Sequence, residues 1–77
     1  MWLRFDAHAR QRMTERGITE DEVMAVMANP LLVFPSTHPD ARGEREARVA
    51  VVDGRRLQVI ATKTDPPWIV TVFEVHD

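Results

Sequence analysis

Two side chains near the start of the chain, His8 and Arg12, stand four residues apart. On a helix that spacing puts them on one face, a turn from each other, so both could address a single phosphate. Histidine exchanges a proton near neutral pH, and arginine holds anionic oxygens with a rigid fork of donors. A proton-transfer group beside a fixed cation is the start of phosphodiester chemistry. The same pair has a structural alternative. His8 can cap or pack beside a sheet, while Arg12 pairs with Glu15 on the surface.

Further cations carry the same double reading. Arg16 could join a phosphate site, or meet the negative end of its own helix. Arg48 and Arg56 could hold a nucleic-acid backbone, or serve as cross-strand partners of Glu46 and its neighbours. His38 sits between Thr37 and Pro39 in a polar stretch and is expected in solvent. No histidine pair shows a tight ligand spacing such as H-E-x-x-H, and no glycine-rich phosphate loop is present, so neither a metal nor a cofactor is expected.

Placing these residues depends on Met13 to Val23, M-T-E-R-G-I-T-E-D-E-V. It predicts one helix ending and another beginning across a very short corner. Gly17 suits the left-handed residue past a helix end, with Ile18 touching Met13 across the last turn. Thr19 and Glu22 have capping-box spacing, and Ile18 with Val23 forms a hydrophobic staple. Asp6 is the expected cap of a first helix over Ala7 to Arg16, with Ala9 and Met13 toward the core. The second helix runs from Glu20 to about Ala28, burying Val23, Val26 and Met27, and stops at Asn29-Pro30.

Short strands are expected at Trp2 to Phe5, on an edge, and at Leu31 to Phe34. Pro35 to Glu44 reads as a surface loop, the most mobile part of the chain. Arg45 to Val51 and Arg55 to Lys63 form a hairpin. A two-residue turn at Asp53-Gly54 would set Ala47, Val49 and Val51 with Ile60, Gln58 and Arg56. A three-residue loop, Val52 to Gly54, sets them instead with Leu57, Val59 and Ala61. The second choice gives the better apolar face, and Gly54 then fits a type I turn with a G1 bulge. Its corollary is an open polar face bearing Glu46, Arg48, Arg56, Gln58 and Thr62. After a turn at Lys63 to Pro67, Trp68 to Val75 is apolar on both faces and belongs inside the sheet. The expectation is a single α+β domain over residues 1–77: two helices packed on an antiparallel sheet of about three to four strands.

Composition bounds the rest. Ten Lys and Arg against twelve Asp and Glu give a formal charge of −2, so no global positive field advertises nucleic acid. With 44% hydrophobic and 29% charged residues the chain is ordinary globular material. At 77 residues its core is marginal, and a partner or a homodimer would stabilise it. There is no cysteine, which excludes disulfide staples and makes a reducing cytoplasm the expected setting. No stretch approaches a membrane span, and M-W-L-R-F-D does not read as a signal peptide.

The opening F-D-A-H-A-R-Q-R-M-T-E-R-G-I-T-E-D-E-V, followed by a hairpin and a closing I-V-T-V-F strand, resembles a family of small bacterial domains. Their pattern is similar to that of the RelE-like toxins and the wider group of metal-independent ribonucleases that includes barnase and the colicin nucleases. His8, Arg12, Met13, Arg16, Gly17, Ile18, Thr19 and Val23 carry the resemblance in front, and Thr71 behind. It implies a RelE-like arrangement and a toxin-type endoribonuclease. His8 would be the general acid or base, Arg12 the phosphate clamp, and Arg16, Arg48 and Arg56 substrate contacts. Thr71 and His76 would be polar groups on and after the last strand. RNA or the ribosome would be the target and a cognate antitoxin the protein partner. A non-catalytic interaction module on the same scaffold, binding through a sheet face or edge, is the alternative.

Overall fold

A computed structural model describes residues 2–36 and 44–76. Seven elements follow in order: β1 (Arg4–Phe5), α1 (Ala7–Arg16), α2 (Glu20–Ala28), β2 (Leu32–Pro35), β3 (Arg45–Val52), β4 (Arg55–Thr62) and β5 (Trp68–Glu74). His38 and most of the expected Pro35–Glu44 loop lie outside the described residues.

Both helices begin and end where the residue types demand. Asp6 accepts from the Ala9 N–H at 2.7 Å and caps α1. At the other end Gly17 adopts φ 65°, and the Ile18 N–H reaches back to the Met13 carbonyl at 2.9 Å. These are the bonds of a Schellman cap, whose left-handed residue carries no Cβ penalty when it is glycine. Two residues later Thr19 and Glu22 exchange side-chain bonds in a complete capping box, at 2.9 and 3.1 Å. Ala9 and Met13 of α1, with Val23, Val26 and Met27 of α2, are buried as the spacing predicts. They close over Ala50, Leu57, Val59, Ile69 and Val72 of the sheet.

The α+β class holds, but the sheet corrects the expectation of three to four antiparallel strands in a RelE-like arrangement. It has five strands, in the order β1-β5-β4-β3-β2. It is mixed, because β1 lies parallel to β5 while all other neighbours are antiparallel. A two-residue strand is too short for any periodicity, and its direction is fixed by where α1 must dock rather than by its own residues. β5 is interior, as its two apolar faces suggest, and carries a bulge opposite Ile60 and Ala61.

The hairpin register is a second correction. Ala47 faces Ile60, Val49 faces Gln58 and Val51 faces Arg56, leaving a turn of only Asp53-Gly54. Both turn residues have positive φ, 51° and 81°, the signature of a type I′ turn whose twist matches the flanking strands. The apolar pattern misled because V-A-V-V and V-I-A are hydrophobic on both faces. Turn chemistry decided the register.

The slip changes which side of β3 is covered, while Leu57, Val59 and Ala61 of β4 lie under the helices as expected. Glu46, Arg48, Ala50 and Val52 stand opposite Ala61, Val59, Leu57 and Arg55, and this is the side under the helices. The bare side carries Leu32 and Phe34 of β2, Ala47 and Val49 of β3, Arg56, Gln58 and Ile60 of β4, and Thr71 and Phe73 of β5. The expected open cationic face is therefore an open, mainly apolar one.

Candidate functional site

His8 occupies the first turn of α1, exposed, and among the described residues it has no hydrogen-bond partner. Arg12, one turn on, donates to Glu15 at 3.0 Å, and that hydrogen bond holds the Glu15 carboxyl below its ordinary range. The structural alternative for Arg12 is thus realised, while that for His8 is not: it neither caps nor packs. Among the described residues that line the broad grooves along the sheet, neither His8 nor Arg12 appears.

Arg16 and Arg48 each hold a main-chain carbonyl. Arg16 bonds the Val72 oxygen at 2.7 Å. Val72 lies beyond the two residues of β1, so its carbonyl meets no neighbouring strand there, and the guanidinium supplies the missing donor. Arg48 bonds the Met27 oxygen at 2.8 Å in the last turn of α2, where a cation also suits the helix dipole. Glu46 flanks it, with Oε2 3.2 Å from Nη2. Arg48 was expected on the open face; the register places it beneath the helices, half-buried and engaged.

Arg56 and Thr71 do lie on the open side, opposite Val51 and Ile60 respectively. Thr71 lines a groove of about 520 Å³ with Phe34, Ala47, Ile60 and Phe73, a mostly apolar setting for one hydroxyl. His76 follows β5, exposed, its Nδ1 4.0 Å from Glu74. The seven candidates thus fall into separate groups: His8, Arg12 and Arg16 along α1, Arg48 under α2, Arg56 and Thr71 on the opposite face, and His76 past the last strand. Only His8 and Arg12 keep the spacing that made them candidates. Among the described residues no three His, Asp or Glu side chains converge where a metal could sit, and no helix is long and apolar enough to cross a membrane.

Two features escaped the sequence. One is Arg55, just past the turn, which bonds Glu22 at 2.6 Å and the Gly17 carbonyl at 3.2 Å, with Glu74 at 3.9 Å. It ties the helical corner to the hairpin, and its hydrogen bond lowers the Glu22 carboxyl below 4.5. The reciprocal effect raises Arg55. Alternation along β4 puts Arg55 on the Leu57 side in either register; its meeting with Glu22 and Gly17 depends on how the helical corner sits over the hairpin, which no local pattern shows.

The other is the surface around β2. Leu31 is 70% exposed, Leu32 61%, Val33 47%, Phe34 41% and the nearby Val51 54%. β2 is the outer strand of the sheet, and four of these residues are consecutive. Single exposed apolar residues are ordinary, but a contiguous run on an edge strand is what folded monomers avoid.

A family model described as a domain of unknown function (DUF4258) matches residues 5–74, from β1 to the end of β5. No curated protein and no solved structure matches the chain.

Proposed function

The chain belongs to the DUF4258 family, and we propose that it works as a protein-interaction module, presenting the β2 edge and the adjoining open sheet face to another polypeptide. The observation that carries this reading is the run Leu31 to Phe34 with Val51, apolar and exposed at the margin of the helix-free side. The cations bear on the same point. Arg16 and Arg48, candidates for an anionic ligand, are spent on carbonyls of the fold itself. The test is a photocrosslinking amino acid placed at Leu32 or Val51, and separately at Gln11 on the exposed side of α1, in cells. Protein adducts from the first two positions and not from the third support the module. Equal capture from α1 would sink it.

A second reading keeps the resemblance to toxin-type, metal-independent endoribonucleases, and one observation favours it: His8 stays exposed, one turn from Arg12. Expression of the wild type would then arrest growth and degrade RNA, and His8→Ala would relieve both. On the interaction reading, wild type and His8→Ala grow alike, and a growth assay beside an RNA gel separates the two.

A further inference from the structure

We infer that the occupant of the β2 edge is a second copy of this chain, paired antiparallel across a two-fold axis through Val33. This deepens the interaction reading and rests on it. The uncovered apolar surface does not keep to one face. Val33 turns to the helix-bearing side and Leu32 and Phe34 to the other, yet all three are exposed. Further in on the open face, Ala47, Val49 and Ile60 are already buried. What lacks cover is the rim of the sheet seen from both sides, and the occupant that covers both sides of a rim is a strand laid beside it.

Main-chain alternation identifies the groups that would meet. The Ser36 N–H donates to the Arg45 carbonyl at 3.0 Å, which marks Ser36 and Arg45 as a hydrogen-bonded pair in the β2–β3 ladder. Such pairs recur at every second residue, so Phe34 and Leu32 turn inward to β3 while Val33 turns its N–H and C=O outward. Pro35 also turns outward, but it has no N–H to give. The free rim of β2 therefore offers one donor, at Val33. Antiparallel pairing centred on that residue lets each copy donate to the other's Val33 carbonyl, and the proline lies away from the axis.

Leu31 to Pro35 contains no charged residue, so a symmetric pairing sets no like charges opposite one another. Isologous contacts of this kind need a patch that matches itself, and a neutral apolar strand does. The exposed fractions of Leu31 to Phe34 and Val51 amount to roughly 500 Å² per copy, so covering all of them buries on the order of 1,000 Å² for the pair, the lower bound for a specific interface.

Light scattering on a sizing column tests this with the whole chain. The wild type should elute at twice the 8.8 kDa chain mass and dissociate on dilution. Val33→Pro removes the outward N–H without touching the bonds to β3, and Leu32→Lys sets like charges about the axis. Each should weaken association about tenfold or more, with the circular dichroism spectrum unchanged. Because the chain has no cysteine, a single Val33→Cys should give a covalent dimer with a short bis-maleimide, and Gln11→Cys should not. A wild type that keeps the mass of one chain at every concentration overturns the proposal, as does crosslinking no faster from position 33 than from position 11. A monomer that still captures another protein from Leu32 in cells would remove the second copy and leave the interaction reading standing.

Discussion

At the scale of single residues, arginine does most of the joining. Arg55 bonds one carboxylate and one carbonyl on the corner and lies near a second carboxylate on β5. Arg4 stacks over Trp68 at 4.7 Å and donates to the Pro66 carbonyl at 2.6 Å, while Arg10 stacks over Phe5 and pairs with Glu20. Planar, multi-donor heads suit such shared contacts, and lysine does not reproduce them. Arg55→Ala should therefore lower stability, because it leaves the Glu22 carboxylate without its charged partner. Urea unfolding at fixed protein concentration measures it, and Arg55→Lys should recover only part. The sign of the pH effect follows from the lowered Glu22 carboxyl. Its ionised form is favoured in the folded state, so its contribution is complete above the ordinary value of 4.5 and is lost as pH falls through the lower folded value. Glu22→Gln should flatten the acid limb of the stability profile, and a limb that stays as steep would show that other carboxylates govern it. Alternation along β4 already separates Arg55 from Arg56, but the meeting of Arg55 with Glu22 was not legible, because it depends on how the corner lies over the hairpin.

At the scale of elements, legibility follows how local the cause is. The helical corner could be read from eleven residues because each constraint acts within five positions: a left-handed glycine, a capping box and a staple. The hairpin depended on a competition between a two-sided apolar pattern and a two-residue sequence, Asp53-Gly54, whose geometry won. β1 falls within the edge strand expected at Trp2 to Phe5, but its parallel pairing with β5 has no local signature. The corner also gives a clean measurement. A Cβ added at Gly17 would meet no atom within 4 Å, so Gly17→Ala carries only the strain of φ 65°. The expected loss is about 1–2 kcal/mol, read from thermal unfolding. A loss well above that range would mean the corner is packed more tightly than its open surroundings indicate.

For the whole molecule, the two sides of the sheet divide the work. Beneath the helices, Leu57, Val59, Ile69 and Val72 are fully buried and supply the core, each worth about 1.5–3 kcal/mol of burial. On the other side the inner positions are covered by their own neighbours while the β2 rim is not, so stability and recognition draw on different surfaces. The expected substrate contacts Arg48 and Arg56 rest on the assumption that both share one open side. Register breaks that assumption by sending Arg48 one way and Arg56 the other, and in the sequence the β2 run looks like any short strand because nothing local tells an edge from a centre.

The parallel pairing of β1 with β5 reaches beyond architecture. Arg4 and Phe5 find their places only beside Trp68 and Ile69, and Arg16 only against Val72. On a translating ribosome the first helix therefore emerges long before the strand it must rest on, and its apolar side waits uncovered until β5 has followed it. Folding of this domain therefore waits on β5, and its early segments are the ones a chaperone would meet first.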